Sequence, residues 1–263
     1  MAEPLDTGRP HPARVYDVLL GGKDNFAADR AAAAEGLKVN PNAATAPLQN
    51  RAFLQRAVRF LAGEAGVRQF LDIGTGLPTS PNVHEVAQAI DPTARIVYAD
   101  NDPIVLTHAR ALLTSSPEGR TAYVDASLQD VDGILKAPEL RETLDLDEPV
   151  AVLLLAILHF LDDDADPWSI VDRLMAGLPS GSWLVLSHIT DDHDPESWAR
   201  FAAIMRRQGI TTRLRGHDDV ARFFTGLELV EPGVVPILRW RPDHEETLTD
   251  AQVALYGGVA SKP

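Results

Sequence analysis

The sequence predicts an α/β protein: a doubly wound, mostly parallel seven-stranded sheet preceded by an N-terminal helical extension. Two observations carry that prediction. From Arg68 onward, short apolar runs alternate with helix-period segments, the pattern of parallel strands joined by crossover helices. Residues 150–156 are apolar or small throughout, as a central strand covered on both faces must be. The region before Gly66 lacks this alternation and reads as helices. The chain is therefore divided into an extension or lid over residues 1–66 packed on a core over residues 67–263.

Residues 1–13 are rich in proline and polar groups and read as an extended arm. A short helix follows with Val15, Val18 and Leu19 on one face, then a Gly21-Gly22 break and an alanine-rich helix from Ala27 to about Gly36, ended by Asn40-Pro41-Asn42. A longer helix over residues 46–65 is predicted from Phe53, Leu54, Val58 and Leu61, with Gly66 as its stop. Strands are expected at residues 70–73, 96–99, 122–124, 150–156 and 183–188. Ser80-Pro81, Asp102-Pro103, Asp166-Pro167 and Asp194-Pro195 each offer a capping side chain and a proline pre-set for a first helical turn. The first of these helices should face Val83, Val86, Ala87 and Ile90 inward, and the second Leu106, Ala109 and Leu113. After a helix containing Val220, Phe223 and Phe224, residues 228–230 and 234–240 flank Pro232-Gly233 and are expected to pair as the antiparallel edge. Trp168, Trp183, Trp198 and Trp240 read as core or helix-face residues.

The formal net charge is −14, from 24 Lys and Arg against 38 Asp and Glu, which opposes binding to a phosphodiester backbone. Nucleic acid is excluded as a partner on that ground. With no cysteine there is no disulfide, thiolate metal site or cysteine nucleophile. No apolar run reaches about 18 residues and the start carries no basic-then-apolar leader, so no membrane association and a cytoplasmic location are expected. Nothing in the sequence sets an oligomeric state.

The chemistry concentrates where the first strand ends. Phe70-Leu71-Asp72-Ile73-Gly74-Thr75-Gly76-Leu77-Pro78 is an apolar strand closing on an acid and two near glycines, which allow a sharp turn and a close ligand approach. Ile96-Val97-Tyr98-Ala99-Asp100 ends a second strand in another acid, placed where a carboxylate accepts from ribose hydroxyls. Asp72 decides which nucleoside. A carboxylate beside the first glycine is a poor neighbour for a pyrophosphate but a good one for S-adenosylmethionine, whose ammonium and sulfonium are cationic. Pro78 also replaces the third glycine of the dinucleotide motif, which argues further against NAD.

The residues resemble a class I S-adenosylmethionine-dependent methyltransferase, and more closely a bacterial S-adenosyl methyltransferase family long carried as a domain of unknown function. The resemblance rests on residues 13–26 (Ala-Arg-Val-Tyr-Asp-Val-Leu-Leu-Gly-Gly-Lys-Asp-Asn-Phe), the Asp72 turn, residues 98–103, Pro232-Gly233-Val234-Val235-Pro236, Trp240-Arg241-Pro242 and Tyr256-Gly257-Gly258-Val259-Ala260. It implies S-adenosylmethionine as cofactor. It also implies that Asp72 contacts the methionyl ammonium, that Gly74, Thr75 and Gly76 pass beneath the donor, and that Asp100 grips the ribose beside Asn101. Asp125 and Ala126 would sit at the adenine, and Ala156 would offer its carbonyl to the methionyl amine. Pro78 departs from the small residue common at that place.

The activity expected is methyl transfer to a small-molecule acceptor, with His159 and Tyr16 orienting the acceptor or removing its proton. His159 follows a strand end and would have a pKa suited to neutral pH. Alignment and exclusion of water carry most of the catalysis in such a reaction. Arg14, Tyr16, Lys23, Asp24, Asn25 and Arg30 either close over the donor or cover the sheet. His188, Asp191, Asp192 and His193 have ligand chemistry but read as a solvated loop, so no metal is expected. The competing class is a non-catalytic regulatory or interaction protein that binds the donor or its product, S-adenosylhomocysteine.

Overall fold

Five of the expected apolar runs form parallel strands: β1 (Gln69–Ile73), β2 (Arg95–Asp100), β3 (Arg120–Asp125), β4 (Ala151–Leu155) and β5 (Trp183–Ile189). The computed structural model describes residues 6–112 and 114–263. Leu113, expected inward on its helix, and residues 1–5 of the expected arm lie outside the described residues. The parallel strands are ordered β3-β2-β1-β4-β5. Strand order therefore reverses between β1 and β4, and a crevice at such a reversal is where doubly wound sheets bind ligands.

The antiparallel edge differs from expectation. β6 (Glu228–Leu229) and β7 (Val235–Pro236) do not pair with each other; both pair with a C-terminal strand, β8 (Leu255–Ser261), which itself runs antiparallel to β5. Residues 237–239 turn into a short 3-10 helix instead of extending the edge. This C-terminal strand is not among those expected from the sequence, and its Gly257 and Gly258 serve close packing. A Cβ on Gly257 would stand 2.7 Å from Ile237 and 3.0 Å from Phe53.

Helices cover both faces. The N-terminal three are α1 (Pro12–Leu19), α2 (Ala27–Val39) and α3 (Thr45–Gly63); α4 (Val83–Ile90), α5 (Pro103–Leu112), α6 (Val131–Lys136), α7 (Pro138–Thr143), α8 (Pro167–Ala176), α9 (Pro195–Arg207), α10 (His217–Ala221) and α11 (Asp250–Val253) follow. Successive strand side chains point to opposite faces. Phe70, Ile96, Ala151 and Val185 accordingly join a core with Phe53, Val83 and Trp198, while Leu71, Val97, Val152 and Leu184 join another with Ile134, Leu174 and Phe223.

Asp102, Asp166 and Asp194 cap their helices, accepting from the N–H of Ile104 (2.9 Å), Ser169 (3.3 Å) and Ser197 (3.2 Å). The Ser80-Pro81 pair does not open its helix. Ser80 Oγ donates instead to Glu85, whose carboxylate accepts the N–H of Asn82, so α4 starts at Val83. The extension is fastened to the late segment. Arg56 on α3, buried, donates from Nε to the carbonyl of Trp240 (3.0 Å) and from Nη2 to that of Ile237 (2.6 Å), and Phe53 packs edge-on to Trp240 at 5.5 Å between ring centroids. Trp198 and Trp240 are fully buried and Trp168 and Trp183 half-buried.

Candidate active site

At the reversal, the carboxyl ends of β1, β2 and β4 border a cavity of about 270 Å³. Gly74 and Gly76 have φ of 71° and 66°, the left-handed region where a side chain is strained. Gly74 has a second reason to be glycine, since a Cβ there would lie 2.6 Å from the Ile157 side chain. The turn is tied to β2: Gly74 N–H donates to the Ala99 carbonyl at 2.8 Å and Gly76 N–H to Asp100 Oδ2 at 2.9 Å. Asp100 Oδ1 accepts the N–H of Asp102 at 2.9 Å. The Asp100 carboxylate is thus fixed by two backbone donors on the cavity wall.

Asp72 and Asp100 are each 6 % exposed, and both line the cavity. Burial pushes the Asp72 carboxyl up to about 6, against the Thr75 hydroxyl (2.8 Å from Oδ2) and the Arg51 charge, while Asp100 pushes the same way as burial. Burial also raises Asp100 above the usual carboxylate range, despite its two backbone donors. Two buried carboxylates, both raised by burial and neither in an ion pair among the described residues, make a site that gains from a positive ligand.

The opposite wall comes from the extension. His11, Pro12, Ala13, Tyr16, Asn50 and Arg51 all line the cavity. Arg51 was not singled out in the sequence. Its guanidinium donates to the carbonyls of Thr79 and Pro81, which holds it beside the glycine turn. His11 Nδ1 lies 3.0 Å from Asp102 Oδ2, and Asp102 is held below the usual carboxylate range because His11 and the Ile104 N–H outweigh its burial. A hydrogen-bond chain joins the two walls: Asn50 donates to the Tyr16 hydroxyl (3.1 Å), Ser187 Oγ donates to Asn50 Oδ1 (2.6 Å), and Ala156 N–H donates to Ser187 Oγ (3.0 Å). Ala156 itself has φ 55°, a strained value for a non-glycine residue. The Tyr16 hydroxyl donates in turn to the Pro47 carbonyl at 3.2 Å, and burial raises its pKa, so it is a neutral, engaged phenol.

The structure gathers Asp72, Gly74, Thr75, Gly76, Asp100, Asn101, Ala126, Ala156 and Tyr16 on this one cavity. Asp125 is exposed at the end of β3 and off its wall, and the cap of α6 is Asp130, which accepts from Gly133 N–H at 2.9 Å. His159 is also off this wall and lines a smaller neighbouring pocket. Its burial, then the Arg215 charge, push the imidazole down to about 3 in place of the near-neutral value expected. Of the front block, Lys23, Asp24, Asn25 and Arg30 stay off the cavity: Asp17 Oδ2 accepts from Asp24 N–H and Asn25 Nδ2, and Arg30 donates to the Asn25 carbonyl. Arg14 is buried against Asp29, 3.4 Å away. Among the described residues no three His, Asp or Glu side chains are grouped to hold a metal, and no helix is long and apolar enough to cross a membrane.

The whole chain, residues 1–263, matches a family model described as S-adenosyl methyltransferase. Among solved structures it is similar to a DUF574-family protein from Streptomyces avermitilis, with 49 % identity, 99 % of this chain and 100 % of that one covered, and a TM-score of 0.97. It is similar also to a candidate methyltransferase from Thermobifida fusca, with 42 % identity, 98 % and 96 % covered, and a TM-score of 0.90. The N-methyltransferase NodS of Bradyrhizobium japonicum, in complex with S-adenosylhomocysteine, shares the fold at 15 % identity and a TM-score of 0.51, with 95 % and 99 % covered. Among curated proteins none matches.

Proposed function

For a chain that belongs to the S-adenosyl methyltransferase family, enzymes that take a methyl group from S-adenosylmethionine, we propose that the 270 Å³ cavity is the donor site and that the acceptor is a small molecule. The observation that carries this is the pairing of two buried carboxylates, Asp72 and Asp100, across a glycine turn. Asp100 takes the ribose hydroxyls, Asp72 the methionyl ammonium, and Arg51 the methionyl carboxylate as a charge-assisted pair. Gly74, Thr75 and Gly76 pass beneath the donor, Asn101 and Ala126 border the adenine, and the Ala156 carbonyl faces the amine. The sulfonium supplies a methyl group already activated for transfer. The protein supplies alignment and exclusion of water. Residues 1–66 form an extension that closes this site over the 67–263 core, a reading supported by Tyr16 and Arg51 on its wall. Tyr16, held by Pro47 and Asn50, positions the acceptor and leaves its proton alone.

Calorimetry tests the donor assignment. S-adenosylmethionine and S-adenosylhomocysteine should bind with micromolar affinity and NAD should not. A folded protein that binds neither, or binds NAD as well, would refute it. Release of S-adenosylhomocysteine on incubation with small hydroxyl and amine compounds tests the acceptor class, and turnover only on a protein or nucleic acid would refute that part.

The Asp72 value gives a pH dependence. With its carboxyl at about 6, Asp72 takes up a proton below that pH and loses its charge for the ammonium. Donor affinity should be flat above about pH 7 and fall below about pH 6, approaching tenfold per unit. The sign for stability is opposite. The folded value lies above the 3.8 of an unperturbed aspartate, so the native state binds the extra proton, and this group's contribution is fully present below about pH 4 and lost as pH rises through about 6. Binding isotherms from pH 5 to 8 read the first effect, and a donor affinity that does not weaken below pH 6 contradicts it.

A further inference from the structure

Next to the donor cavity lies a smaller pocket of about 70 Å³. Pro12, Tyr16, Ala156 and Phe160 line both, so the two meet along one wall. Their chemistry is opposite. The donor cavity carries Asp72, Asp100 and Arg51, whereas the smaller pocket is walled by aliphatic and aromatic groups with no Asp, Glu, Lys or Arg.

Its side-chain polar groups are those of Tyr16, His159, Trp198 and Thr212. Three are already satisfied: Tyr16 by Pro47 and Asn50, Trp198 Nε1 by the Ala251 carbonyl at 3.2 Å, and Thr212 Oγ1 by the Ile210 carbonyl at 3.3 Å. His159 is the exception. It is 7 % exposed, and its Nδ1 is buried without a hydrogen-bond partner. A buried imidazole nitrogen left unpaired is costly, and the ring, which lines the pocket, makes no side-chain hydrogen bond among the described residues.

The residues around His159 keep it uncharged. His188, whose ring centroid is 5.6 Å away, donates from Nδ1 to the Ile189 carbonyl (2.7 Å) and accepts at Nε2 from Arg215 Nη1 (2.8 Å). The Arg215 guanidinium, which also donates to the carbonyls of Leu158 and Leu161, stands where it opposes a second positive charge. A neutral imidazole offers one acceptor and one donor nitrogen. It therefore suits a neutral hydroxyl and gives no counter-charge to an anion.

We propose that this pocket binds the methyl acceptor, and that the acceptor is an uncharged single-ring aromatic alcohol whose hydroxyl hydrogen-bonds to His159 and whose ring lies against Trp198, Phe201 and Met205. The proposal rests on the donor assignment above, because the shared wall at Tyr16, Ala156 and Phe160 is where donor and acceptor meet. The acceptor oxygen gains the methyl there as the sulfonium S–CH3 bond breaks, leaving S-adenosylhomocysteine, and its proton passes to solvent. Size allows one ring at most: an apolar cavity of roughly 150 Å³ takes up benzene, so at about 70 Å³ this pocket holds a ring only in part, the rest lying at the wall it shares with the donor cavity. Aromatic and thioether walls favour ring contacts, and the absence of a charged wall group excludes a carboxylate or ammonium on the buried part.

The test is binding, read apart from turnover. Protein saturated with S-adenosylhomocysteine is titrated with phenol, toluene, benzoate and benzylamine, each followed by NMR. Phenol should bind at least about tenfold more tightly than either charged compound. In His159→Phe, phenol affinity should fall about tenfold, the loss of one hydrogen bond, with toluene affinity unchanged within threefold. Ala46→Phe, or the milder Ala46→Leu, projects into the small pocket alone and should displace phenol while S-adenosylhomocysteine binding stays within threefold, which also reports that the variant is folded. Equal or tighter binding of benzoate or benzylamine overturns the proposal, as does phenol binding that survives both Ala46 variants, or equal losses of phenol and toluene in His159→Phe. Failure of the wild type to bind S-adenosylhomocysteine overturns the donor assignment itself. The wild-type comparison decides the matter even where a variant does not fold.

Discussion

Asp100→Ala is expected to weaken S-adenosylmethionine binding by at least about 100-fold while leaving a folded protein. The side chain does two jobs. Toward the ligand it offers a carboxylate to the ribose, and hydrogen bonds to charged groups contribute about 1.5–3 kcal/mol. Toward the protein it fixes the turn, accepting from Gly76 N–H at 2.9 Å and Asp102 N–H at 2.9 Å. Alanine removes the first and orphans both donors, so the Gly74–Gly76 backbone loses its tie to β2 at the point where the donor must pass. Since about 1.4 kcal/mol is tenfold in affinity, losing both contributions reaches two decades. Asp100→Asn separates them, because an amide oxygen still accepts one backbone bond; its loss should be nearer tenfold. Calorimetry on the three proteins, with circular dichroism to confirm folding, checks this. Alanine and wild type agreeing within threefold would mean that Asp100 only shapes the turn.

The parts of this site that could be read from the sequence are those fixed by local chain chemistry. A strand ending in Asp72, then Gly74 and Gly76, dictates a turn with positive φ, and Asp-Pro pairs dictate helix starts at Asp102, Asp166 and Asp194. What could not be read depends on how distant segments meet. Arg51 lies on α3 two residues before the apolar Phe53-Leu54 pair, and nothing in that pattern says that this flank of the helix crosses the end of the sheet beside Asp72. His159 illustrates the same limit. Its place after a strand put it near the site, but its pKa is set by burial and by Arg215, 56 positions along the chain. β8 was hidden for another reason: Gly257 and Gly258 lack the β-branched signature because Phe53, Ile237 and Phe224 occupy the space of their side chains.

Arg51→Ala is expected to produce the second large effect, and a diagnostic one, because Arg51 acts on the ligand and on Asp72 together. As a cation lining the cavity across from the two buried carboxylates, it is the partner available to the methionyl carboxylate, and its removal should cost about 30-fold in donor affinity at pH 7.5, the loss of one charge-assisted pair. It also opposes the effect of burial on Asp72. Without that charge the Asp72 carboxyl should rise further, so the pH below which donor binding weakens must move up from about 6. Arg51→Lys distinguishes the two roles. A lysine keeps the charge but lacks the planar fork that grips a carboxylate while bonding the Thr79 and Pro81 carbonyls, so the midpoint should stay near the wild-type value while part of the affinity is lost. An arginine that never touches the donor predicts another result: lower thermal stability and unchanged affinity at pH 7.5 in the folded fraction, with the midpoint still moved up by the lost charge beside Asp72. Isotherms across pH for the three proteins separate these cases, since the affinity lost at pH 7.5 reports contact with the donor while the shift of the midpoint reports the Arg51 charge on Asp72.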